Sequence, residues 1–405
     1  PNDVDRNSRP SNDNTSQQGV GRMGIGILAD FGSGNDDYRS VRLSQGFGIY
    51  GVGVLYDEGG NDSYLSEALS QGSAFNGVGL LIDRDGSDEY RMVAYGQGFG
   101  FVLGVGALYD NDDAGFDTFY AEPDSTNAMP EYKSPQDNSK NANFCQGAGF
   151  GLRGNAIAGG LGFLMTDGNG SDSHIGGIFA ISTAYYYATG MLYDAGGDDS
   201  YDGDWYAVSG NAHQSACILF DRAGNDTYDT DRSVGLGGGH DVSVGWFVDV
   251  SGNDTYTGSA YTLGGSNQCG AGYFIDVSGD DSYDSESNNQ GLGRGNFSNE
   301  LVNDFWQMHL YRLQHYFNWA IFIDGGGNDI YAEKYRSIPT LDPANDRNII
   351  FRQAGNLLTW KRAQHGNGTE NPGNPPPQGP NSYWANEYGI GVDTAGSGTV
   401  GLDLE

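Results

Sequence analysis

The stretch Asp57-Glu58-Gly59-Gly60-Asn61-Asp62-Ser63-Tyr64 decides the fold of this chain because it returns at a regular interval. Its pattern is Asp-x-x-Gly-x-Asp-x-Tyr, and successive second Asp residues lie mostly 26 to 28 residues apart. A unit repeated at a fixed period of this length is typical of stacked, solenoid-like architectures. Full copies occupy residues 57–64, 83–90, 194–201, 221–228, 249–256, 276–283 and 324–331, and looser copies occupy residues 30–38, 110–119 and 167–174.

Two intervals between copies are longer than one period. Asp117 and Asp172 are 55 residues apart, which we interpret as about two periods with one turn degenerate or replaced by an excursion. Asp281 and Asp329 are 48 residues apart, which fits one period plus an insertion. These intervals predict roughly eleven coils, and at about 4.8 Å per coil the rod would be on the order of 50 Å long.

Short apolar runs that contain glycine precede the acidic turns. Residues 51–55 read GVGVL and residues 77–81 read GVGLL, and turn residues bound both runs. They are too short and too β-branched for helices and therefore predict strands. A Gln-Gly step also recurs between turns, which we interpret as an amide ladder along the molecule. Its glutamines are Gln45, Gln71, Gln97, Gln146 and Gln290.

Stacking is what allows such short strands to be stable. A strand of this length cannot bury its apolar face alone, whereas stacked coils bury a continuous core and pair their backbone amides with the next coil. The 67 glycines among 405 residues fit tight corners, since glycine adopts positive φ without penalty. We therefore predict an all-β protein, a parallel β-solenoid or β-helix, with coils of roughly 27 residues.

Several segments depart from the repeat. We expect a flexible N-terminal arm over residues 1–18, the solenoid over 19–332 and a non-repeat C-terminal extension over 333–405. A proline-containing loop would leave the rod at about 120–143. Residues 298–319 lack Gly and Pro and have apolar residues at helical spacing, so they predict a lateral helix. Residues 366–382 predict a proline-rich linker, and residues 388–405 predict a segment that caps the final coil or pairs with a neighbouring molecule.

The acidic residues of the repeat are expected to bind a cation. Identical turns on neighbouring coils would place carboxylates about 5 Å apart, where two unit charges repel by roughly 3 kcal/mol at an effective dielectric constant of 20. Calcium fits such a site because it accepts six to eight oxygens from carboxylates and backbone carbonyls in flexible geometry. The alternative is that the Asp side chains cap their own turns as solvated, metal-free Asx motifs.

Several calcium ions per chain are therefore predicted, and the two Asp residues of every full copy are the candidate ligands. Here the first Asp opens the turn and the second Asp precedes the Tyr. The candidate metal ligands are Asp57, Asp62, Asp83, Asp88, Asp194, Asp199, Asp221, Asp226, Asp249, Asp254, Asp276, Asp281, Asp324 and Asp329.

The turn resembles the calcium-binding nonapeptide of RTX proteins, Gly-Gly-x-Gly-x-Asp-x-(apolar)-x. Residues 324–331 (DGGGNDIY) match it at Gly325, Gly327, Asp329 and Tyr331, whereas Asp324 replaces the first Gly. The resemblance covers about eight residues of each repeat. It implies that the second Asp and glycine-loop carbonyls coordinate calcium between coils. The carboxylates to which it carries over are Asp62, Asp88, Asp199, Asp226, Asp254, Asp281 and Asp329.

The remaining chemical residues predict structural roles. The repeat tyrosines are expected to stack in the core. Cys145, Cys217 and Cys269 form no metal motif and are expected to be small buried residues, with at least one thiol free. The six histidines are expected to be packing or surface residues, and no catalytic nucleophile, phosphate-loop or zinc motif is present in the sequence.

Charge and composition narrow the function. A net charge of −33 without a basic patch argues against a nucleic-acid partner, and no apolar run approaches the ~18 residues of a membrane span. Low Lys and Arg content with abundant Asn, Gly and Tyr is typical of a secreted or cell-surface protein, or of one in the periplasm. The chain as a whole also resembles bacterial secreted repeat proteins to which no activity attaches.

The expected function is that of a calcium-stabilised structural, assembly or binding protein, and catalysis is the less favoured reading. Its partner would be a second copy, another surface protein or a glycan. Two alternatives stay open by analogy at the level of the fold. They are a calcium-dependent polysaccharide-acting enzyme, a lyase or a hydrolase, and a carbohydrate-binding adhesin. Either would have its site at the interrupted coils.

Overall fold

Parallel strands stacked in register form this protein, whose structure is a computed structural model. Three sheets run along the molecule and a fourth, shorter sheet of four strands lies between two of them in the chain path. This architecture confirms the predicted all-β parallel β-solenoid. The structure describes residues 17–111, 115–125, 130–285, 292–293, 295–296, 318–327, 329–331, 350–354, 357–361 and 387–394.

The leucine sheet, named after its buried leucine column, contains the longest strands. Its ten parallel strands are Ile25–Ala29, Val52–Tyr56, Val78–Asp83, Val105–Asp110, Leu161–Thr166, Thr189–Asp194, Ala216–Asp221, Val244–Asp249, Ala271–Asp276 and Asn318–Asp324. Glu387–Thr394 pairs parallel with the last of these, so part of the predicted C-terminal segment 388–405 extends this sheet. At the end of the sheet, Leu357–Lys361 pairs antiparallel with Glu387–Thr394, and Ile350–Ala354 pairs antiparallel with Leu357–Lys361.

The tyrosine sheet, named after its stacked tyrosines, is formed by the strands that follow the acidic turns in the chain. Its ten strands are Asp37–Arg39, Ser63–Leu65, Glu89–Met92, Thr118–Ala121, Ser173–Gly176, Ser200–Gly203, Thr227–Thr230, Thr255–Gly258, Ser282–Ser285 and Ile330–Tyr331. The glycine sheet completes the coil with Gly21–Arg22, Gly48–Ile49, Ala74–Phe75, Gly100–Phe101, Gly149–Phe150, Ala184–Tyr185, Gly210–Ala212, Gly238–His240, Ser266–Asn267 and Gly295–Asn296. The short sheet is Ala68–Ser70, Ala94–Gly96, Ala142–Cys145 and Ile178–Ala180.

Helix is nearly absent from the described residues. They contain two 3₁₀ helices, Pro130–Tyr132 and Arg153–Asn155, and none of their helices is long and apolar enough to cross a membrane.

The core is filled by residues that repeat from coil to coil. Side chains alternate between the two faces of a strand, so in-register stacking places equivalent residues on one another. Leu55, Leu81 and Leu108 are fully buried in the leucine sheet. The rings of Tyr64 and Tyr90 stack with centroids 4.8 Å apart. The tyrosine stack predicted from the sequence is therefore present inside the solenoid.

The glutamine steps stabilise the corners in a way that differs from the predicted amide ladder. The Gln71 Nε2 donates to the Tyr64 carbonyl at 2.8 Å and to the Arg91 carbonyl at 3.2 Å. Gln45 makes the same pair of contacts one coil earlier. These amides thus join two successive strands of the tyrosine sheet through backbone carbonyls rather than through each other.

The coil count is lower than predicted. Thr118–Ala121 pairs directly with Ser173–Gly176, so the 55-residue interval between Asp117 and Asp172 is one coil with insertions and not two coils. Counting residues could not distinguish an insertion from a degenerate coil of the same length. The tyrosine and glycine sheets accordingly have ten stacked parallel strands each, and the repeats supply ten to the leucine sheet, which gives about nine turns rather than eleven. The 48-residue interval is one coil, as predicted, because Ser282 aligns with Ile330.

Three predicted boundaries change. Gln18 is buried and its carbonyl accepts a hydrogen bond from Gly46, so the first coil already includes a residue assigned to the arm. Strands occupy the ends of the predicted 120–143 loop. Asn318 and Trp319, the end of the predicted 298–319 helix, belong to a strand, in which Trp319 pairs with Ala271 of the preceding coil and Asn318 pairs with Glu387. The rest of that helix, residues 1–16 and the linker at 366–382 lie outside the described residues.

The 120–143 insertion lies against the solenoid through ion pairs of Glu131 and Asp137. Glu131 contacts Arg42 at 2.8 Å, and the Tyr132 hydroxyl donates to Glu67 at 2.6 Å. Asp137 contacts Arg232 at 2.8 Å. Two acidic groups of this excursion, Glu131 and Asp137, are therefore paired with arginines of the rod.

Candidate metal centre

The acidic turns connect the leucine sheet to the tyrosine sheet, and their carboxyl groups lie inside the corner. The strand Val78–Asp83 ends on a first Asp, and the second Asp, Asp88, directly precedes the strand Glu89–Met92. Asp83 is completely buried and Asp88 is 3% exposed. The solvated part of the Asx alternative is therefore wrong, because in-register stacking covers each turn with the next one.

The glycines of the turn allow the coils to approach closely at this corner. A Cβ atom built on Gly224 would overlap the carbonyl oxygen of Gly197, and one built on Gly197 would overlap the carbonyl oxygen of Gly170. Gly197 also has a φ of +149°, which other residues rarely adopt. The repeated Gly is thus required by backbone contact between coils.

The second Asp residues form a continuous hydrogen-bonded column. The Oδ1 of each one accepts a hydrogen bond from the backbone N–H of the second Asp on the preceding coil, as between Asp226 and Asp199 at 2.7 Å. The column contains Asp36, Asp62, Asp88, Asp117, Asp172, Asp199, Asp226, Asp254, Asp281 and Asp329. The other carboxylate oxygen, Oδ2, is buried without a hydrogen-bond partner in Asp62, Asp88 and Asp199.

The first Asp residues contact the stacked tyrosines. The Tyr201 hydroxyl lies 3.0 Å from the Asp194 Oδ2 and 2.9 Å from the Asp221 Oδ2. Tyr228 bridges Asp221 and Asp249 in the same way, at 2.7 and 2.8 Å. A phenol has one proton to donate, so two carboxylates around one hydroxyl require a further proton or a cation nearby. The sequence indicated the ring stack but not this pairing.

Asx capping occurs in some of these turns. The Oδ1 of Asp57 accepts a hydrogen bond from the Gly59 N–H at 3.0 Å, and that of Asp194 accepts one from Gly196 at 2.9 Å. Capping therefore uses one oxygen of the first Asp and leaves the column of second Asp residues to be neutralised in another way.

Stacking brings the carboxyl groups together in threes. Each of the following triads contains residues of two successive turns, with one ligand atom from each residue within 4.8 Å of the others, and in the full copies it is both Asp residues of one turn and the first Asp of the next. Asp194, Asp199 and Asp221 form one triad, and residues of adjacent copies form others. The further groups are Asp57 with Asp62 and Asp83, Asp221 with Asp226 and Asp249, Asp88 with Asp110 and Asp117, and Asp172 with His174 and Asp194.

The structure also places the remaining predicted ligands. Asp254, Asp276, Asp281 and Asp324 are buried at equivalent positions, whereas Asp329 is partly exposed. Asp110, Asp117 and Asp172 belong to looser copies that the sequence made poor candidates, and here they lie within the groups of possible ligands.

Burial makes the ionised form of these carboxyl groups unfavourable. It raises the pKa of Asp88 and of Asp199 to about 10, with neighbouring carboxylates adding to the effect. The same causes raise the pKa of Asp226 and of Asp281 to about 9. Among the ion pairs of the described residues, none involves Asp88, Asp199 or Asp226. At neutral pH these groups must bind protons or a cation.

The donor set fits a hard divalent cation. A triad such as Asp194, Asp199 and Asp221 offers carboxylate oxygens, including the buried Asp199 Oδ2 that no protein group satisfies. Carboxylates with backbone carbonyls are the ligands that calcium and magnesium prefer, and calcium tolerates the less regular geometry. His174, whose pKa burial lowers to about 3, adds a nitrogen to the group of Asp172 and Asp194.

One predicted turn is corrected by the register of the strands. The sequence assigned Asp167 as the first Asp of the copy at 167–174, but Thr166 is the residue aligned with Asp110 and Asp194. Asp167 is exposed. Aligning the apolar runs instead of the turns would have found this, because GFLMT at 162–166 matches GALYD at 106–110.

A second polar cluster was not predicted. His213 Nδ1 contacts Asp241, and its Nε2 lies 2.9 Å from Arg153 in the 3₁₀ helix Arg153–Asn155. These residues come from different coils and share no sequence motif. Asp241 is buried and acquires two cationic or hydrogen-bonding neighbours, which is a structural role of the kind predicted for the histidines. His309, His315 and His365 lie outside the described residues.

The cysteines behave as predicted from their spacing. Cys145, Cys217 and Cys269 are buried free thiols. Burial raises the pKa of Cys145 and of Cys217 to about 12, which makes both unreactive. They play no part in the acidic corner.

Comparison with known proteins assigns no family and no function to the chain. No protein-family model matches the chain, and neither does a curated protein or a solved structure. The function therefore has to be inferred from the solenoid and from the residues that meet in its acidic corner.

Proposed function

We propose that this protein is a structural or assembly solenoid whose buried Asp triads bind calcium ions between successive coils. The observation that supports this most directly is the triad of Asp194, Asp199 and Asp221, in which the Asp199 Oδ2 is buried with no protein partner. A divalent cation would satisfy that oxygen and offset the negative charge that burial makes unfavourable.

The proposed cation acts as an internal cross-link. Each triad contains residues from two coils, so an ion bound there stabilises the contact between them. Because the group recurs along the stack, the ions would form a line through the corner between the leucine and tyrosine sheets. An ion that binds only the folded chain raises the free energy of unfolding with its concentration.

A structural role agrees with the uniformity of the coils. One surface groove is lined by turn residues such as Gly224, Asn225 and Gly252, and another lies on the outer face of the tyrosine sheet. Glu131 and Asp137 of the 120–143 insertion, where the enzyme alternative placed its site, are paired with Arg42 and Arg232. No observation favours the enzyme or the adhesin over the structural role.

Secretion or display at the cell surface is part of the proposal. Modules that use calcium outside the cell bind it with dissociation constants of about 10⁻⁴ to 10⁻³ M, which extracellular calcium saturates. A net charge of −33 is compatible with such a setting. Export can be checked directly by fractionating cells that express the full-length gene.

Thermal unfolding tests the proposed calcium sites. The full chain, exhaustively chelated at pH 7.5, should melt many degrees lower than the same sample after calcium is added back, with a smaller recovery for magnesium. Asp199→Asn should reduce the calcium-dependent rise. Asp198→Asn is the matched control, because Asp198 is the exposed neighbour in the same turn. Identical melting curves with chelator and with calcium would refute the proposal.

A further inference from the structure

The outer face of the leucine sheet is apolar along its whole described length. On the strands from Ile25–Ala29 to Ala271–Asp276 the first, third and fifth residues point outward, and on Asn318–Asp324 the second, fourth and sixth do so. Every residue at these positions is apolar or aromatic except Thr189. Among the described side chains of these ten strands, no charged group lies on the outer face, although the protein has a net charge of −33.

This face is exposed to solvent, although its amino-acid composition is that of a sheet face covered by other parts of a protein. Parallel strands that are apolar on both sides normally lie in sheets covered on both faces. Here the core covers the inner face, whereas outer residues such as Leu161 and Trp246 are 41% and 36% exposed. Trp246 and Tyr273 stack on each other with centroids 4.1 Å apart, so their outward rings are already ordered. An ordered apolar patch is typical of an interface.

The face is large enough for a stable interface. Nine strand spacings and five residues give about 43 Å by about 16 Å, a footprint of roughly 700 Å². The largest apolar patch of an ordinary monomer is roughly 300–600 Å². A standard protein–protein interface covers roughly 800 Å² on each partner. Contact over this face would therefore suffice for a specific pair of proteins.

We propose that two copies of this chain pack their leucine sheets face to face with antiparallel solenoid axes. The inference names the partner for the proposed structural and assembly role and rests on that role. A second copy matches the face because both surfaces have the same strand spacing and the same uncharged residues. Two such sheets pack at about 10 Å with their side chains interdigitated. No charge is desolvated on the paired faces.

The sizes of the side chains in the middle outward column favour the antiparallel arrangement. This column is aliphatic at Val54 and Leu80 and aromatic at Trp246 and Tyr273. A twofold axis between the strands Leu161–Thr166 and Thr189–Asp194 places Leu80 opposite the partner's Trp246 and Val54 opposite the partner's Tyr273. A parallel arrangement would place Trp246 against the partner's Trp246, and such overpacking is unfavourable.

Sedimentation velocity of the full chain tests the dimer. We expect a dimer at micromolar concentration, both with calcium and with chelator. Met191→Glu places a charge near the proposed axis and should weaken association roughly a hundredfold. Leu65→Glu is the matched control, since Leu65 is exposed on the tyrosine sheet between Arg39 and Arg91. It should leave the dimer intact.

Two results would overturn the dimer. One is an unmodified chain that stays monomeric over the whole micromolar range. The other is a Met191→Glu protein that has the circular dichroism of the unmodified chain and still dimerises as tightly. Either result leaves the chelation experiment unaffected, and failure of that experiment leaves the dimer unaffected, so the two proposals can fail separately.

Cross-linking tests the orientation. A short bis-maleimide should join Leu80→Cys chains to Trp246→Cys chains in a mixture and should join neither variant to itself. In the antiparallel pair the two copies of residue 246 lie about 24 Å apart, five strand spacings. The native cysteines are buried and should not react. Efficient cross-linking of Trp246→Cys alone would contradict the antiparallel arrangement.

Discussion

The coils around Asp194 and Asp221 differ from the interrupted coil that contains Thr166 in a way that explains the tyrosine stack. In the regular coils, the Tyr201 hydroxyl contacts the first Asp of the next coil, Asp221, at 2.9 Å. In the interrupted region Thr166 replaces that Asp, and the ring of the preceding coil is Phe119, which has no hydroxyl. The stack itself continues, since Phe119 and His174 lie 4.8 Å apart.

The comparison separates two roles of the aromatic column. Ring stacking persists where the carboxyl group is missing, so it belongs to the core of the solenoid. Phe119 lacks the hydroxyl where the acceptor on the next coil is missing, and His174, which also lacks it, lies in a group of possible ligands with Asp194 instead, so the hydroxyl belongs to the acidic corner. A buried carboxyl or hydroxyl without a partner is costly, which gives a physical reason for the two changes to occur together.

The largest effect is expected from the backbone contact that distinguishes the two regions. Gly224→Val in the regular stack would place a Cβ atom on the Gly197 carbonyl oxygen and should abolish the fold or cost more than about 4 kcal/mol. Gly154→Ala lies in the insertion of the interrupted coil, where a Cβ meets nothing within 4 Å. It should change the free energy of unfolding little. Urea denaturation compares the two, and equal losses would contradict close stacking of the turns.

The next largest effect is the pH dependence of the regular stack in chelator. Burial raises the pKa of Asp83 and Asp276 to about 6, of Asp62 and Asp254 to about 7, and of four further carboxyls to between about 9 and 10. These values exceed the ~3.9 of an unfolded Asp, so the folded chain binds more protons. The stability that these protonated carboxyls contribute is fully present below about pH 4 and declines as pH rises through the folded pKa values, up to about pH 10.

Denaturant titrations at pH 5.5 and pH 8.5 measure this slope. Without metal, the chain should be clearly more stable at pH 5.5. With saturating calcium the loss at pH 8.5 should be recovered, because the ion replaces the protons. A metal-free chain that is more stable at pH 8.5 would show that its carboxyls are stabilised in their charged form by another group.

A smaller effect should come from moving the regular pairing into the interrupted coil. Thr166→Asp alone places a buried carboxyl beside Phe119 and should cost about 1–3 kcal/mol. Adding Phe119→Tyr supplies the hydroxyl, and the double variant should recover part of that loss, with a coupling free energy of about 0.5–3 kcal/mol. Tyr201→Phe, which removes the hydroxyl from the regular stack, is the reverse test. Strict additivity of the two changes would contradict the pairing.

Much of the fold follows from the sequence because the repeat is nearly regular. The period of the second Asp predicted stacked coils, and the alternation of Gly with apolar residues predicted strands. The predicted number of coils was too high because the insertion between Asp117 and Asp172 has about the length of one coil. The C-terminal boundary of the predicted 298–319 helix was wrong because the helical spacing of apolar residues continues into the strand Asn318–Asp324. Only the pairing of that strand with Ala271–Asp276 reveals it.

Less of the candidate site follows from the sequence. The Asp residues and their stacking were predicted, but their burial depends on which face of the corner they occupy, and the turn motif alone does not specify that. The contact between Tyr201 and Asp221 joins two coils and has no local signature. The apolar outer face was visible in principle, since runs such as VGLLI at 78–82 have no polar alternate position.

The calcium content of the full chain tests the central claim most directly. After equilibrium dialysis at pH 7.5 against millimolar calcium, with a magnesium sample alongside, the bound metal is counted by mass spectrometry. We predict several calcium ions per chain, approaching one for each intact Asp triad, and fewer in Asp199→Asn than in Asp198→Asn. Retention of no calcium would show that protons neutralise the acidic corner and would contradict the proposed calcium sites.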